Sequence, residues 1–467
     1  MSDMRAVPMF HKLRRIHMIG IGGSGMSGIA EVLRALGFVV TGSDQRLSQV
    51  TDHLASLGIA IHEGHRPEYV RDAQVVVYSS AVKPDNVEVV AATGWKIPVI
   101  ERSEMLGELT RMKFTIGVAG THGKTTTTSM IGQILTAAGL MPTIIVGGIA
   151  KSLGSGGILG GGQHLVVEAD EYARTFLRMF PTVAVVTTLE EDHLDCYRDL
   201  ADISDTFAQY LARLPFYGVA IMGIDDANVR ALVPRVQRSL VTYGTAEDAD
   251  IRAANPRSHG LRSAFSLVVR GQALGEVEVP VPGLHNARNA LAAIAVAMEL
   301  EVPLDGIREG LARFSGVNRR FQVRGTVDGA TVVDDYAHHP TALDATLRTA
   351  RECWPGKRIL LVFQPHLYSR TRDFQREFAR VLLRSDVAVV TDVYPSREAP
   401  LAGVTSDLIL NLSREYGHPR ALAAHGLDEA TRLVREEMRP GDVVLTVGAG
   451  DIWKVATALT SDGEAKA

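Results

Sequence analysis

The chain has 467 residues, 46% hydrophobic and 22% charged, with a formal net charge of −4. At roughly 100 to 200 residues per domain this length points to three domains, and the composition is that of a globular protein. The slight acidity argues against nucleic acid as a partner, which needs a basic face, and Cys196 and Cys353, far apart and outside any CxxC pair, argue against disulfides and cysteine-type zinc and for a reducing, cytoplasmic setting.

The start, MSDMRAVPMFHKLRR, has charges but no apolar stretch behind them, so it does not read as a signal peptide. The first block runs from Ile16 to about Gly107 with strand-like runs IHMI, VVTG, VVVYSS and IPVIE. Gly20, Gly22 and Gly25 form GxGxxG directly after IHMI and before a helix with Met26, Ile29, Leu33 and Leu36 on one face. Gly42-Ser43-Asp44 follows the next strand, an acid at about the ribose-reading distance. Such a loop requires only a diphosphate at a helix N-terminus with a ribose nearby, so NAD and any UDP- or ADP-linked substrate fit equally.

The second block opens with FTIGVAGTHGKTTTT at 114–128. A β-branched run breaks at Gly120, and glycines at 120 and 123 let bare N–H groups face phosphate oxygens. Lys124 brings a point charge to the terminal phosphates, the Thr125 hydroxyl can ligate Mg²⁺, and the helix from Thr125 points its N-terminus at the anion. The strict phosphate-loop motif would need glycine at 118, where this chain has Val118. The block continues through TIIVGG, HLVVEADE, TVAVVTTLE, VAIMGI and LVTYG to a helix ending near Phe314, with a glycine-rich mobile loop expected at 154–163. Glu168, Asp170 and Glu171 end one strand and Glu190, Asp192, His193 and Asp195 end the next, where an open α/β sheet places its ligands and where Mg²⁺ can be held against phosphates. The apolar run ALAAIAVAMEL, about 290–300, is too short to span a bilayer and reads as a buried helix, so no membrane partner is expected.

Residues 314–325, FSGVNRRFQVRG, have the composition of a hinge. The third block opens with TVVDD at 331 and continues through RILLVFQ, VAVVTDV and VVLTVGAG to a frayed tail, SDGEAKA. Asp334 to Pro340 and Gln364 to Arg370 both read as strand-to-helix loops, and their histidines, tyrosines and Arg370 suit an anion or a small amino acid. Strands alternating with helices throughout predict an α/β protein with parallel sheets.

The segments GTHGKTTT, EADE, EEDHLD, PGLHNARNALAAIAVA, FSGVNRRF, DDYAHHPT, FQPHLYSRTRD, DVYPS and VGAGDI occur in the order found in the Mur ligases. The resemblance covers residues 15–455 and is strongest to the members that add alanine. It implies an α/β fold of three domains: a Rossmann-like UDP-binding domain over 1–107, a central ATP-binding domain of phosphate-loop type over 108–322, and a Rossmann-like amino-acid-binding domain over 323–467. The glycine loop then belongs to UDP, not NAD. The implied reaction uses ATP and Mg²⁺ to convert the lactyl carboxylate of UDP-N-acetylmuramate to an acyl phosphate, which L-alanine attacks, in peptidoglycan precursor synthesis.

Residue by residue, the resemblance implies ATP contacts at Gly120, Thr121, His122, Gly123, Lys124, Thr125 and Thr126, with His285 and Asn289 near the adenine. UDP-substrate contacts fall on Gly22, Gly23, Ser24, Gly25, Met26, Asp44 and Ser79. Metal ligands fall on Thr125, Glu168, His193 and His338, and alanine contacts on His366, Arg370 and Tyr336. Lys124, His193, Arg320, His338 and Arg370 carry the catalytic roles, with Arg320 reaching the phosphates across the hinge and domain closure preceding reaction. Two positions depart from the family pattern: Thr188, where relatives often have Asn, and Ala173, where Asp is frequent. No lysine occurs between Lys151 and Lys357, so the carbamylated lysine of the later-acting members has no counterpart over that span. Three other readings remain: a muropeptide-recycling ligase, an NAD-dependent oxidoreductase, which leaves Lys124 and the acidic clusters idle, and a non-enzymatic nucleotide switch, which would hydrolyse ATP without an acceptor. Oligomeric state is open between monomer and homodimer.

Overall fold

A computed structural model describes residues 12–79, 81–147 and 157–464. Three sheets alternate with helices. The first contains β1 (Arg15–Ile19), β2 (Val39–Asp44), β3 (Ala60–Glu63), β4 (Val75–Tyr78) and β5 (Val99–Glu101) in the order β3-β2-β1-β4-β5, with every pairing parallel. Its helices are α1 (Ser24–Ala35), α2 (Gln49–Ser56), α3 (Val87–Gly94) and α4 (Arg102–Thr110). Strand order reverses beside β1, so the glycine loop after β1 opens into the crevice where such sheets bind ligands.

The second sheet has ten strands: β6 (Phe114–Ala119), β7 (Thr143–Ile145), β8 (Gly157–Ile158), β9 (His164–Glu168), β10 (Val183–Val186), β11 (Val219–Gly223), β12 (Ser239–Gly244), β13 (Ile251–His259), β14 (Arg262–Val269) and β15 (Gln272–Val279). Their order is β15-β14-β13-β12-β11-β10-β6-β9-β7-β8. β6 lies parallel between β10 and β9, so the acidic ends of both neighbours flank the loop that follows it. The helices are α5 (Lys124–Ala137), α6 (Leu200–Ala212), α7 (Ala227–Leu232), α8 (Leu284–Glu299) and α9 (Leu304–Ala312). In α8 every residue from Ala290 to Ala297 is at most 1% exposed, which accounts for its uniformly apolar sequence.

The third sheet contains β16 (Gln322–Val327), β17 (Ala330–Asp335), β18 (Ile359–Phe363), β19 (Val387–Thr391), β20 (Ala421–Ala424) and β21 (Val443–Val447) in the order β16-β17-β21-β18-β19-β20. Helices α10 (Pro340–Cys353), α11 (Tyr368–Asp373), α12 (Gln375–Leu382), α13 (Asp407–Glu415), α14 (Leu427–Glu437) and α15 (Trp453–Glu464) accompany it. β21 runs parallel between β17 and β18, so the loops after all three strands emerge at one edge. All five side chains of β18, ILLVF, are fully buried, each contributing about 1.5–3 kcal/mol of burial and explaining why the strand reads as a continuous apolar run.

The described chain packs as two compact units. The first comprises the residues up to Ala254 with Ser266–Val277 and Arg288–Ser315; the second comprises Asn255–Phe265, Glu278–Ala287 and the residues from Gly316. Three expectations change. Residues 251–279, which lack a clean alternation and contain Pro256, form strands β13 to β15. The second half of the expected hinge is strand β16, antiparallel to β17. Ser461 to Glu464 continue α15 instead of fraying. Of the expected mobile loop at 154–163, residues 154–156 lie outside the described residues, as does the start of the chain.

Candidate active site

β6 ends at Ala119, and Gly120 turns with φ +132°. A Cβ there would clash with Thr187 Oγ1 and lie 2.9 Å from backbone atoms of Thr188, so only glycine lets the loop close on the end of β10. The two threonines brace that loop. Thr188 O accepts from Thr121 N at 2.9 Å, Thr188 Oγ1 accepts from His122 N at 2.9 Å, and Thr187 Oγ1 donates to His122 O at 2.5 Å. Thr188, a departure from the family pattern, thus supplies both a carbonyl and a hydroxyl to the phosphate loop. Gly123, φ +85°, precedes α5 without a side-chain cap, leaving the first N–H groups of the helix directed at the loop. Thr125 and Thr126 form the buried first turn. Asn289, on α8, packs behind Gly123 and accepts from Thr127 Oγ1 at 3.3 Å, so its place is against the loop itself.

Lys124 Nζ donates to Gly120 O at 2.7 Å and to both oxygens of Glu171 at 2.7 and 2.9 Å. The two side chains are 15% and 4% exposed. Burial disfavours the ammonium, but the charges of Glu171, Asp170 and Glu168 outweigh it and hold the Lys124 pKa above the ordinary lysine range. Lys124 is therefore a fixed cation, already paired. Ligand atoms of Asp170, Glu171 and His193 lie within 4.8 Å of one another. His193 sits at φ +54°, and its buried Nδ1 has no hydrogen-bond partner among the described residues. Two carboxylates, an orphaned imidazole nitrogen and a phosphate loop are a donor set that fits a divalent cation bound together with phosphate oxygens. Glu168, expected as a ligand, accepts from Gly147 N at 2.9 Å. From the sequence, Asp170 and Glu171 belong to the acidic cluster able to hold Mg²⁺, but of the three acids only Glu168 is expected as a ligand; the other two lie two and three residues further on, past the end of β9. Ala173 adopts φ +50°, a left-handed conformation that the aspartate frequent here tolerates better.

In the first sheet, Ser43 O accepts from Gly20 N and Ile21 N at 2.8 and 3.1 Å, and Asp44 Oδ2 accepts from Gly22 N at 2.9 Å. Ser79 packs against Gly20, and Met26 is buried in α1. Gly22, Gly23, Gly25, Asp44 and Ser79 therefore surround one loop, and Ser24 opens α1 from it. Behind it lies Glu88, fully buried, which accepts from Ser43 Oγ at 2.8 Å and meets His17 at 3.0 Å and His65 at 3.2 Å. Burial opposes its ionisation, but the hydrogen bonds from His17 and Ser43 prevail and hold the carboxyl below its usual range.

In the second unit, the loops after β17, β18 and β21 converge. Asp335 accepts from Phe321 N at 2.8 Å and Ala337 N at 2.7 Å, and burial pushes its pKa up. The ring of Tyr336 lies under the guanidinium groups of Arg319 and Arg320, 4.9 and 5.2 Å away. His338 Nδ1 donates to Tyr336 O at 3.0 Å, which in the neutral ring puts the lone pair on Nε2. Its ring is 5.8 Å from that of His366, whose Nδ1 accepts from Arg370 Nη1 at 3.4 Å. Arg370 is 5% exposed. The structure thus gathers Arg320, Tyr336, His338, His366 and Arg370. His285 packs against Gly283 in this same unit. Leu367, between His366 and Tyr368, has φ +69° and ψ 135°. Its N donates to Tyr394 O at 2.9 Å, and its O accepts from Thr371 Oγ1 at 2.8 Å.

Arg319 was not singled out from the sequence. It donates to Gly448 O at 2.6 Å, Gly450 O at 3.1 Å and Asp334 at 3.3 Å, tying the loop after β21 to the end of β17. Two adjacent arginines followed by two adjacent buried acids was the available signal: both guanidinium groups lie over the tyrosine ring, and that of Arg319 also braces the loop.

Three family profiles match in succession: the "Mur ligase family, catalytic domain" over residues 15–114, the "Mur ligase middle domain" over 118–297 and the "Mur ligase, glutamate ligase domain" over 319–450. The chain belongs to the Mur ligase family. The Mur ligases similar to it include the UDP-N-acetylmuramate–L-alanine ligase of Salinibacter ruber, 52% identical across 99% of this chain and 98% of that one, and that of Geobacter sulfurreducens, 49% identical across 97% and 98%. Among solved structures, the UDP-N-acetylmuramate-alanine ligase of Thermotoga maritima is 29% identical with a TM-score of 0.83 over 97% of this chain and 100% of that one. The fold is accordingly that of a Mur ligase, α/β with mostly parallel sheets.

Proposed function

We infer that this protein joins L-alanine to the lactyl carboxylate of UDP-N-acetylmuramate at the expense of ATP, in peptidoglycan precursor synthesis. The observation that carries the reading is the phosphate loop of Lys124 set against Asp170, Glu171 and His193, in a chain about half identical over nearly its whole length to ligases of that name. We assign residues 1–107 to the UDP-substrate, 108–322 to ATP and 323–467 to the amino acid.

A carboxylate is a poor electrophile, so its oxygen first takes the γ-phosphoryl group of ATP and ADP leaves. The amine of alanine then attacks the acyl carbon, loses its proton, and phosphate departs. The first step asks for positioning and charge neutralisation more than proton transfer. Lys124 supplies a cation that stays charged, and the N–H groups of the loop and of α5 supply fixed dipoles. Mg²⁺, held by Asp170, Glu171 and His193, with Thr125 next to Lys124 in the chain and Glu168 two residues before Asp170, would neutralise phosphate charge when bound. Arg370 and His366 orient alanine, the guanidinium pairing its carboxylate, with Tyr336 alongside. We also assign catalytic roles to His338 and Arg320, which lie beside Tyr336.

Phosphate release from ATP is expected only with Mg²⁺, UDP-N-acetylmuramate and L-alanine together. Release indifferent to the UDP-sugar would sink the proposal, and a tripeptide accepted in place of L-alanine would move it to a muropeptide-recycling ligase.

A further inference from the structure

None of the residues assigned to the reaction lies in the loop after β19, which carries the segment DVYPS at 392–396. Yet that loop is fastened at two points to the one that carries His366 and Arg370. Tyr394 N donates to Pro365 O at 2.8 Å and Tyr394 O accepts from Leu367 N at 2.9 Å, a one-residue parallel bridge around His366. The ring of Tyr394 stacks on that of His366, with centroids 5.7 Å apart and planes inclined by 12°. It also packs on the bare backbone of Gly450, where a Cβ would lie 2.6 Å from Tyr394 Cγ. Gly450 O is held in turn by Arg319 at 3.1 Å. At the second point, Glu398 accepts from Ser369 N at 2.9 Å with one carboxylate oxygen and from Ser369 Oγ with the other. Ser369 stands in the first turn of α11, whose N-cap, Leu367, supplies no side-chain acceptor. A carboxylate from another loop thus takes the place of the missing cap, where the first N–H groups of a helix favour negative charge.

The two attachments act on the two groups assigned to alanine. The outer torsion of a histidine has a broad minimum, so an imidazole without a neighbour swings through a wide arc. A near-parallel ring beside it confines its plane and so the directions in which its nitrogens donate and accept. Arg370, one residue beyond Ser369 and 5% exposed, takes its position from the first turn of α11, which Glu398 anchors. We propose that Tyr394 and Glu398 are positioning residues for the amino-acid substrate, Tyr394 through the plane of His366 and Glu398 through the placement of Arg370. This rests on the reading of His366 and Arg370 as alanine contacts and adds to it the loop that aims them. A substrate as small as alanine has little surface of its own to bury, so its affinity depends on how well its carboxylate meets a guanidinium already in place.

The test is steady-state phosphate release by the full chain with Mg²⁺, varying ATP, UDP-N-acetylmuramate and L-alanine in turn. Tyr394→Leu leaves the backbone bridge in place and removes the ring, and Glu398→Ala removes the carboxylate. In each, KM for L-alanine is expected to rise about 3- to 10-fold, while kcat and the KM values for ATP and the UDP-sugar stay near wild type. Tyr394→Phe, which keeps the ring, and Glu398→Gln, whose carbonyl oxygen still accepts from Ser369 N, recover most of the loss. Glu398 lies between the exposed Arg397 and Ala399, so its pair of variants carries the test if Tyr394→Leu fails to fold. An unchanged KM for L-alanine in either truncation would overturn the role of that residue. Parallel rises for all three substrates would overturn both roles in favour of a general loosening, and Tyr394→Phe as impaired as Tyr394→Leu would overturn the stacking in favour of the hydroxyl. Wild-type phosphate release that ignores L-alanine would instead strike the assignment of the reaction itself.

Discussion

Replacing Lys124 with methionine should destabilise the ligand-free protein, beyond removing its activity. The ammonium is the partner of a carboxylate that is 4% exposed, with Asp170 and Glu168 adding negative charge close by. Removing one member of a buried pair costs about 3–5 kcal/mol, and since Lys124 keeps 15% exposure the low end, about 3 kcal/mol, applies. At about 2–3 °C per kcal/mol for a unit of this size, the melting midpoint falls by about 6–9 °C near neutral pH. The pH dependence has a definite sign. In wild type the raised Lys124 pKa makes its contribution fully present below the ordinary lysine pKa, to be lost only as alkaline pH passes the folded value. In the variant, burial raises the Glu171 carboxyl with no cation to oppose it, so stability is retained at acid pH and lost as pH rises through the carboxylate range. The deficit should therefore be largest near pH 8 and shrink toward pH 5, and adding Glu171→Gln to Lys124→Met should recover most of it. Thermal scans of the ligand-free single and double variants across that range measure this. A single variant melting with wild type at pH 8, or a deficit that grows on acidification, would refute the reasoning.

Gly120→Ala should abolish ATP binding in a fluorescent-nucleotide titration and lower stability, because the added Cβ collides with Thr187 and the backbone of Thr188 at φ +132°. At Leu367, whose φ and ψ suit only glycine, Leu367→Gly should be more stable than Leu367→Ala by about 1–2 kcal/mol in urea melts, reversing the usual order. The same glycine variant should raise KM for L-alanine while leaving KM for ATP unchanged, since the backbone that fixes His366 and Arg370 is loosened. Tyr210→Phe should raise the melting midpoint: the hydroxyl is buried without a partner among the described residues, and deleting it removes a desolvation cost of about 1 kcal/mol or more.

What could be read from the sequence was local. The turn of GTHGK, the helix that follows it and the acids at the ends of β9 and β10 are written in contiguous residues, so β6, α5 and their edge of the sheet were legible. Which acid takes the lysine was not, because the pairing of Lys124 with Glu171 depends on how the chain turns beyond β9. Asn289 is expected from the resemblance near the adenine, but its place behind Gly123 depends on packing across more than 160 residues. The arginines at 319 and 320 are indistinguishable in sequence; a left-handed φ of +59° at Arg319 helps turn one guanidinium to the carbonyls of Gly448 and Gly450. Strands β13 to β15 were missed because half their side chains face solvent and the alternation is diluted by polar residues.

The helix that begins at the first glycine loop also carries Gly28, and Gly157 of β8 comes so close that a Cβ on it would lie 2.7 Å from the Cα and carbonyl carbon of Gly28. From β8 the connection runs through β7 and β9 to β6, each hydrogen-bonded to the next, and β6 ends at the second loop. The two glycine loops are thus connected, through four strands and one helix, by a contact of bare backbone with no side chain between. A methyl group added at Gly157 has no room there, so α1 or β8 would have to give way.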